Sequence, residues 1–382
     1  MGSSRGWAAS AIARVERDVV VTPLREVPLP PEWGIGLSLK DESAQPSGSV
    51  KHRLLRAAFV QALAAGQITE GGTVVMASAG PAAVAGAYFA RMLGLDFVVV
   101  VPRSTRPEKV AAIEAAGGRC HPYHPPAAIY QEARRLAADT GGFHLDHFAA
   151  AHAIDWRGVT STDGVRGGKV TGGGHAGDGS AGYGDGVFRG GDVRGGAVEG
   201  GAGGGHIAGE IFEQLGRSPE WIVAGAGTGA TSATIGRFLR YHGYETRLAV
   251  ADPENSAYFP GWASGVSDYA TGMPSRIEGI GRPRMEPGFL PSAIDLVVPV
   301  PDAAAVGALA HLRALTGIAA GGSTGTCLWA AWRLIDRMRA EGRRGDVVVV
   351  MGDAGAAPVL DGDAYAAAIG RFLETGSLDV PQ

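Results

Sequence analysis

Short apolar runs alternate with longer stretches of helical periodicity over most of the chain. After Gly71 the order is strand, helix, strand, helix, at residues 73–76, 82–93, 97–101 and 107–116. Uninterrupted β-branched runs indicate strands that are buried on both faces, and strands that alternate with helices indicate a parallel sheet. This half of the sequence therefore predicts one open α/β unit.

A second series of the same kind follows in the C-terminal half. Strands are predicted at 221–224, 248–250, 296–298 and 347–350, and helices at about 230–241, 302–315 and 324–339. A chain of 382 residues is long enough for two ordinary domains. The fold class predicted from the pattern is α/β, with two open units and mainly parallel sheets.

Between the two units lies a stretch without any period that could build a core. Residues 158–205 hold about a third of the 61 glycines and almost no large aliphatic side chains. This composition predicts a disordered, non-catalytic insertion, so the expected parts are 1–157, 158–205 and 206–375. His175 and His206 lie in or beside it without metal-ligand spacing, and no metal site is expected.

Charge and cysteine content exclude several classes of protein. The chain has 34 basic and 38 acidic residues with no basic block, which argues against nucleic acid or an anionic membrane as a partner. Cys120 and Cys327 are the only cysteines, which argues for a reducing, cytoplasmic compartment. The most apolar stretch, 73–101, is interrupted by a proline and two charged residues, so no membrane span is expected.

The first candidate for chemistry is Lys51. A turn-forming Gln-Pro-Ser-Gly-Ser run at 45–49 delivers this lysine to the start of an apolar helical pattern. Burial there would push the amine toward its neutral, nucleophilic form, which can form a Schiff base with an aldehyde cofactor such as pyridoxal phosphate. A single lysine at a helix entrance is more often a solvated one, so further motifs are needed.

The second candidate is the glycine-rich loop 225–231, which follows a strand and opens a helix. Glycine N–H groups and the positive end of a helix suit a phosphate. The same residues fit Gly-x-Gly-x-x-Ala with Asp252 at the end of the next strand, as in a dinucleotide site. A tight strand-to-helix turn is a third interpretation, and the loop alone does not decide among them.

Two further stretches stand at predicted helix starts. Ser323 and Thr324 can cap the helix that begins near Gly322, and Pro81 suits the first position of the helix after Ser78. Each has a complete structural explanation. Ligands bind at the carboxyl ends of strands in open α/β sheets, however, so all four stretches are expected to converge at one edge.

Together these motifs resemble the cysteine synthase/cystathionine β-synthase family of fold-type II pyridoxal-phosphate enzymes. The resemblance rests on residues 40–42, 46–53, 227–231, 278–281 and 322–325, and it extends from about 22 to 351 apart from the insertion. Stretches 149–158, 252–261 and 278–284 resemble an actinobacterial branch described as L-cysteine desulfhydrase. The resemblance implies a tryptophan-synthase-β-like fold with the cofactor between two α/β domains.

The resemblance also implies a role for particular residues. Lys51 would hold the cofactor and move the Cα proton, and Ser323 would bond the pyridine nitrogen through a neutral hydroxyl. The other implied cofactor residues, around the 5′-phosphate, are Gly227, Thr228, Gly229, Ala230 and Thr231. The implied substrate-binding residues are Ser78, Gly80, Glu278 and Gly279.

The sequence departs from the family at the substrate loop. The family has Thr/Ser-Ser-Gly-Asn-Thr/Ser, whereas this chain has Ser78-Ala79-Gly80-Pro81-Ala82. Each donor lost from a charged ligand could cost roughly 1.5–3 kcal/mol of binding free energy, and proline offers no N–H. Residues 353–357 also differ from the family's Ser-Gly-Glu/Asp-Arg-Tyr-like run, which again predicts weaker activity.

The expected function is pyridoxal-phosphate-dependent β-elimination of L-cysteine to sulfide, pyruvate and ammonia. One alternative is a synthase that replaces the acetoxy group of O-acetylserine with sulfide. Another is a homologue that binds the cofactor but has impaired catalysis, and a nicotinamide dehydrogenase is a minor one because it leaves Lys51 and Ser323 unexplained. The family resemblance further implies a small amino-acid substrate and a homodimer.

Overall fold

The computed structural model describes residues 2–153, 206–355 and 359–381. The helices are α1 Gly2–Arg17, α2 Lys51–Ala64, α3 Pro81–Leu93, α4 Pro107–Ala115, α5 Ile129–Thr140, α6 His147–Ala153, α7 Ile207–Leu215, α8 Ala230–His242, α9 Tyr258–Ser264, α10 Asp302–Thr316, α11 Gly322–Ala340 and α12 Asp363–Thr375. The strands are β1 Leu24–Val27, β2 Ile35–Asp41, β3 Thr73–Ala77, β4 Asp96–Pro102, β5 Arg119–Tyr123, β6 Phe143–His144, β7 Trp221–Gly225, β8 Arg247–Pro253, β9 Leu296–Val300 and β10 Gly345–Met351. The predicted insertion 158–205 and its His175 lie outside the described residues.

The larger sheet has six strands in the order β1-β2-β10-β7-β8-β9. Only β1 runs antiparallel to its neighbour, and the other pairings are parallel, with Val347 opposite both Leu37 and Trp221. Apolar side chains cover both faces, with α10, α11 and α12 on one side and α7, α8 and α9 on the other. This double burial explains why the strands are apolar without alternation.

The smaller sheet has four parallel strands in the order β5-β4-β3-β6. Residues of α1, α2 and α3 pack on one face of β3 and β4, and α5 packs on the other face. The two sheets with their covering helices confirm the predicted α/β class with mainly parallel sheets.

Every strand and helix named in the sequence analysis is present, with its ends within three residues of the prediction. The strands β1 and β2, four and seven residues long, were not predicted. They belong to the N-terminal part of the chain, yet they hydrogen-bond into the larger sheet. The sheets therefore do not follow the predicted sequence division at residue 157, which stays a prediction about domains.

The site owes its position to three adjacent strands of the larger sheet. β2, β10 and β7 are neighbours and parallel, so the chain leaves all three at the same edge. The segments that follow them lead to Lys51, to Asp353 and to the glycine-rich loop after Gly225. Ligands bind at such carboxyl edges in open α/β sheets.

Candidate functional site

Lys51 is placed by a turn and by the end of β10. Gly48 has φ of +77°, which favours glycine, and its N–H donates to the Gln45 carbonyl at 2.7 Å. The Val50 N–H donates to the Gly352 carbonyl at 2.8 Å, and Ser49 forms an isolated bridge with Asp353. These bonds fix the first turn of α2 against the edge of the larger sheet.

Burial changes the chemistry of the Lys51 amine. Removal from water lowers the pKa of Lys51, and the nearby Asp353 carboxylate opposes this by stabilising the charged form. Burial likewise raises the pKa of Asp353 above its ordinary value. The neutral, nucleophilic amine is therefore more accessible here than on a solvated lysine.

Lys51 lines a narrow space that we call the lysine cleft. Its empty volume is about 410 Å³, which includes open solvent at the mouth. It is lined by several separate segments, which contribute Lys51, Pro81, Gly225, Thr231, Gly279 and Ser323. Four of the predicted site residues therefore meet in one cleft, although their separation in sequence reaches 272 positions between Lys51 and Ser323.

The glycine-rich loop packs closely against the loop that contains Gly279. A Cβ on Gly227 would lie 2.1 Å from the Gly279 carbonyl oxygen, so no larger residue fits without moving backbone. The Gly281 N–H donates to the Ala226 carbonyl at 2.8 Å, and the Tyr258 hydroxyl donates to the Gly227 carbonyl at 2.5 Å. Part of the glycine pattern is therefore explained by packing.

The same loop ends at the N-terminus of α8. Gly229 precedes the helix with φ of +84°, and the Thr228 hydroxyl accepts the Ala230 N–H at 3.3 Å. Thr231, in the first turn, lines the lysine cleft. Gly227 to Ala230 form the backbone that leads to Thr231, where the positive end of a 13-residue helix faces the cleft.

Asp252 does not serve this cleft. Its buried carboxylate accepts the Phe259 N–H at 2.7 Å at the start of α9, and burial raises the pKa of Asp252 to about 6. Asp252 is not one of the described residues that line the lysine cleft. Asp252, the acidic residue that a dinucleotide site would require, instead holds the start of α9 at the end of β8.

Ser323 stands in the first turn of α11 and is 8% exposed. A Cβ on Gly352 would approach its hydroxyl oxygen to 3.1 Å, so the glycine keeps space next to the serine. Cys327, one turn further, also lines the cleft, and burial raises its pKa to about 12, which keeps the thiol protonated. The Ser323 hydroxyl and the Cys327 thiol are therefore both uncharged.

The predicted substrate loop lies at the mouth of a second space, which we call the outer chamber. Ser49, Pro81 and Asp353 line both the chamber and the lysine cleft, so the two spaces are adjacent. Gly80 and Glu278 line the chamber. The Ser78 hydroxyl instead accepts the Gly80 N–H at 3.3 Å and belongs to the turn before α3.

The outer chamber contains a cation that the sequence analysis missed. Lys109 of α4 forms an ion pair with Glu278, with 2.8 Å between Nζ and Oε2. The side chains are 30% and 40% exposed, respectively. Lys109 follows the carboxyl end of β4, the position where ligand-binding residues occur in parallel sheets, and that placement was the available signal.

The motif residues around Lys51 also form a buried ionic network. Arg53 donates to Glu42 at 2.7 Å and to Glu210 of α7 at 2.8 Å, and Lys40 lies 2.7 Å from Glu210. The side chains of Lys40, Glu42 and Glu210 are fully buried. The network ties β2, α2 and α7 together directly behind Lys51.

His206 is a helix cap. Its Nδ1 accepts the Ala208 N–H at 3.2 Å at the start of α7. Within residues 2–153, 206–355 and 359–381, no three His, Cys, Asp or Glu side chains are grouped so that they could hold a metal ion. In the same ranges, no helix has the length and apolar character needed to cross a membrane.

Comparison with known proteins identifies relatives over nearly the whole chain. A family model described as pyridoxal-phosphate dependent enzyme matches residues 15–163 and 195–353. A Mycobacterium tuberculosis protein named L-cysteine desulfhydrase is 43% identical over 364 residues, which are 92% of this chain and 87% of the relative.

Solved structures show the same fold at low sequence identity. An O-ureido-L-serine synthase has a TM-score of 0.65 and 22% identity, with 96% of each chain covered. A hydrogen sulfide-producing enzyme from Fusobacterium nucleatum has a TM-score of 0.67 and 18% identity, covering 89% of this chain and 96% of that one. Because their sequence identities are low, these structures support the predicted fold-type II architecture and nothing beyond the fold.

The residues of the lysine cleft fit pyridoxal phosphate. Lys51 offers an amine whose pKa burial lowers, and the α8 N-terminus offers N–H groups for a phosphate. Ser323 offers a neutral hydroxyl, with room beside it at Gly352. The structure thus supplies a nucleophile, an anion site and a neutral hydrogen-bonding group in one cleft.

Substitution of Gly227 by alanine tests whether the close packing of this loop serves the cofactor. The new methyl group must displace the Gly279 carbonyl, and overpacking of this kind typically costs about 1–3 kcal/mol. We expect cofactor affinity to fall about tenfold to a hundredfold, measured as bound pyridoxal phosphate after dialysis. The control Gly370→Ala, where a Cβ has open space in helix α12, should retain the cofactor. Equal retention by the two variants would contradict the assignment.

Proposed function

Because this chain belongs to the family of pyridoxal-phosphate dependent enzymes, we propose that it eliminates sulfide from L-cysteine. Cysteine and one water give hydrogen sulfide, pyruvate and ammonia. The observation that supports this most is Lys51, a lysine of lowered pKa that shares a cleft with Thr231 and Ser323. The choice of cysteine is supported by the 43% identical relative that is named for that reaction.

The bound cofactor supplies an electron sink for the electrons left on Cα when its proton is removed. Lys51 would hold the cofactor through its side-chain amine, and that amine, when free, would accept the Cα proton. The low pKa that burial gives Lys51 keeps a fraction of this amine neutral and able to accept. Asp353, which interacts electrostatically with Lys51, stabilises the resulting ammonium.

The remaining cofactor contacts are proposed from position. The backbone of Gly227 to Ala230 and the first turn of α8 at Thr231 hold the 5′-phosphate. Ser323 would donate or accept a hydrogen bond at the pyridine nitrogen as a neutral hydroxyl, which would moderate the electron sink and suit elimination. Gly80, Glu278 and Gly279 border the substrate, and Ser78 supports that border by fixing the Gly80 N–H.

The substrate loop favours a second candidate, a cofactor-binding protein with impaired catalysis. The Gly80 N–H is already donated to Ser78, and Pro81 has no N–H, so the loop offers few donors to a substrate carboxylate. In that case Ser-Ser-Gly-Asn-Thr restored at 78–82 should create activity.

The deciding experiment is product analysis with the cofactor-loaded protein. L-cysteine should yield sulfide and pyruvate in equal amounts, well above a Lys51→Ala control. Release no faster than in that control would refute the lyase proposal. Formation of cysteine from O-acetylserine and sulfide, faster than cysteine is consumed, would assign the protein as a synthase instead.

The proposal includes a cytoplasmic homodimer. Both cysteines are free thiols in the described structure, and burial raises the pKa of each, which suits a reducing compartment. Family resemblance is the support for the dimer. Sedimentation equilibrium should give twice the 39.1 kDa mass of one chain, and a monomer at micromolar concentration would contradict it.

A further inference from the structure

The ion pair between Lys109 and Glu278 is part of the wall of the outer chamber. Lys109 belongs to α4, which follows a strand of the smaller sheet, whereas Glu278 stands on the loop that packs against the glycine-rich loop of the larger sheet. Their atoms are 2.8 Å apart. The pair therefore lies in the space next to the lysine cleft, with which the chamber shares Ser49, Pro81 and Asp353.

The substrate of the proposed reaction has an α-carboxylate that needs a partner once it leaves water. An unpaired carboxylate in a partly buried space is costly, and a charged donor is the strongest compensation. The substrate loop gives little, because the Gly80 N–H is used by Ser78 and position 81 is proline. The chamber must therefore provide the positive charge from another element.

Two cations line the chamber, and their positions differ. Arg106 precedes α4 and is exposed, whereas Lys109 is half-buried. The second oxygen of Glu278 lies 3.4 Å from where a Cβ of Gly80 would be. The Lys109 ammonium is consequently held, through Glu278, beside the substrate loop.

We propose that Lys109 binds the α-carboxylate of the amino-acid substrate, and that Glu278 holds the Lys109 ammonium there and competes with the substrate for it. This inference rests on the proposed function and names a specificity residue for it. The partly exposed Lys109–Glu278 pair is weak enough to exchange, because water screens it on both sides. Asp353 and Glu108 also line the chamber, so without Lys109 the substrate carboxylate would face three carboxylates and, among the described lining residues, the single cation Arg106.

The proposal predicts opposite effects of the two partners. Lys109→Gln removes the cation that the carboxylate needs, so the KM for L-cysteine should rise and kcat/KM should fall about tenfold to a hundredfold. Glu278→Gln keeps an amide oxygen that can still accept from Lys109 and removes only the competing negative charge, so the KM should fall. If the pair were only a clasp between the two sheets, both substitutions would break it and would change KM in the same direction.

The test compares L-cysteine with L-cysteine methyl ester, which lacks the negative charge. Lys109→Gln should reduce kcat/KM for cysteine at least tenfold more than for the ester, and Lys109→Arg should restore most of the preference. Arg103→Gln, which removes an exposed charge outside the chamber in the segment before α4, is the control and should preserve the preference. Equal losses for acid and ester, or equal shifts in both partner variants, would overturn the proposal.

Direct binding separates this inference from the function proposed above. If the wild-type protein releases no sulfide, the lyase proposal fails, and calorimetric dissociation constants for cysteine and the ester on the same cofactor-loaded variants decide the present one. A selective loss of cysteine binding in Lys109→Gln would support Lys109 as the carboxylate site. No preference for the acid over the ester in the wild-type protein, or no binding of either, would refute it.

Discussion

Lys51→Ala should abolish sulfide release and remove the covalent link between the protein and pyridoxal phosphate. The substitution deletes both the amine that holds the cofactor and the base that takes the Cα proton, and loss of a positioned base alone typically costs about 100-fold to 10,000-fold in rate. The fold should survive, because Lys51 lines a cleft and Asp353, the carboxylate that interacts with it, keeps the hydrogen bond that it accepts from the Gly355 N–H. Unchanged circular dichroism would accompany the lost activity.

The site of attachment can be read directly. The chain has four lysines, Lys40, Lys51, Lys109 and Lys169, so borohydride reduction of the loaded protein followed by peptide mapping has few possible products. The adduct should lie on the peptide that contains Lys51. An adduct on any other lysine, or an adduct that persists in Lys51→Ala, would contradict the assignment.

The lowered pKa of Lys51 predicts how attachment of the cofactor depends on pH. Attachment requires the neutral amine, and burial lowers the pKa of Lys51 below the ordinary lysine value of 10.5. Loading should therefore remain efficient at a lower pH than loading of a solvated lysine in a peptide, and should decline as pH falls through the lowered pKa. A loading profile identical to that of the peptide would argue that the amine is solvated.

Local pattern was sufficient for the regular elements because this fold buries both faces of its strands. The uninterrupted run Val347–Val350 indicates a central strand, and in the structure it pairs with β2 on one side and with β7 on the other. β2 itself was missed, since Lys40 and Asp41 make it look polar. Lys40 is tolerated in this strand because it forms an ion pair with Glu210, which is 170 positions away in the sequence.

The residues of the site were likewise predictable only in part. Convergence of Lys51 and Thr231 was predictable, because helix starts after parallel strands share one edge. Ser323 stands on α11, which follows α10 and not a strand, so the family resemblance was the stronger guide to its place. The Lys109–Glu278 pair was not, because it joins elements of two different sheets and depends on how those sheets face each other. The glycine pattern predicted a phosphate loop, yet the contact of Gly227 with Gly279 is a second, tertiary reason for the same residue.

The buried network behind Lys51 gives the largest expected change in stability. Glu210 accepts from Arg53 and from Lys40 in a fully buried position, and it is the only carboxylate recorded within salt-bridge distance of Lys40 among the described residues. Glu210→Gln keeps the shape but removes the charge, so Lys40 retains only the Thr22 carbonyl, Gln214 and the more distant Glu42. Breaking a buried pair in this way typically costs about 3–5 kcal/mol of the free energy of unfolding.

The way in which the stability loss of Glu210→Gln depends on pH distinguishes an uncompensated charge from a packing defect. Burial already lowers the pKa of Lys40 below 10.5, and loss of Glu210 removes a group that opposes this shift. Folded Lys40 then binds its proton less tightly than unfolded Lys40, so the variant should regain stability as pH rises toward 10.5. Urea denaturation of the variant and the wild-type protein at several pH values would measure the difference.

The control is Glu341→Gln, which removes an equally close but exposed ion pair with Arg337 on α11 and should leave the denaturation midpoint unchanged. A Glu210→Gln variant as stable as that control, or one whose loss does not vary with pH, would show that the network is not held by charge. Because Arg53 shares a helical turn with Lys51, the variant should also release pyridoxal phosphate faster than the control does. Stability of the network and retention of the cofactor should therefore fall together, since the same arginine that anchors α2 also orients the lysine at its start.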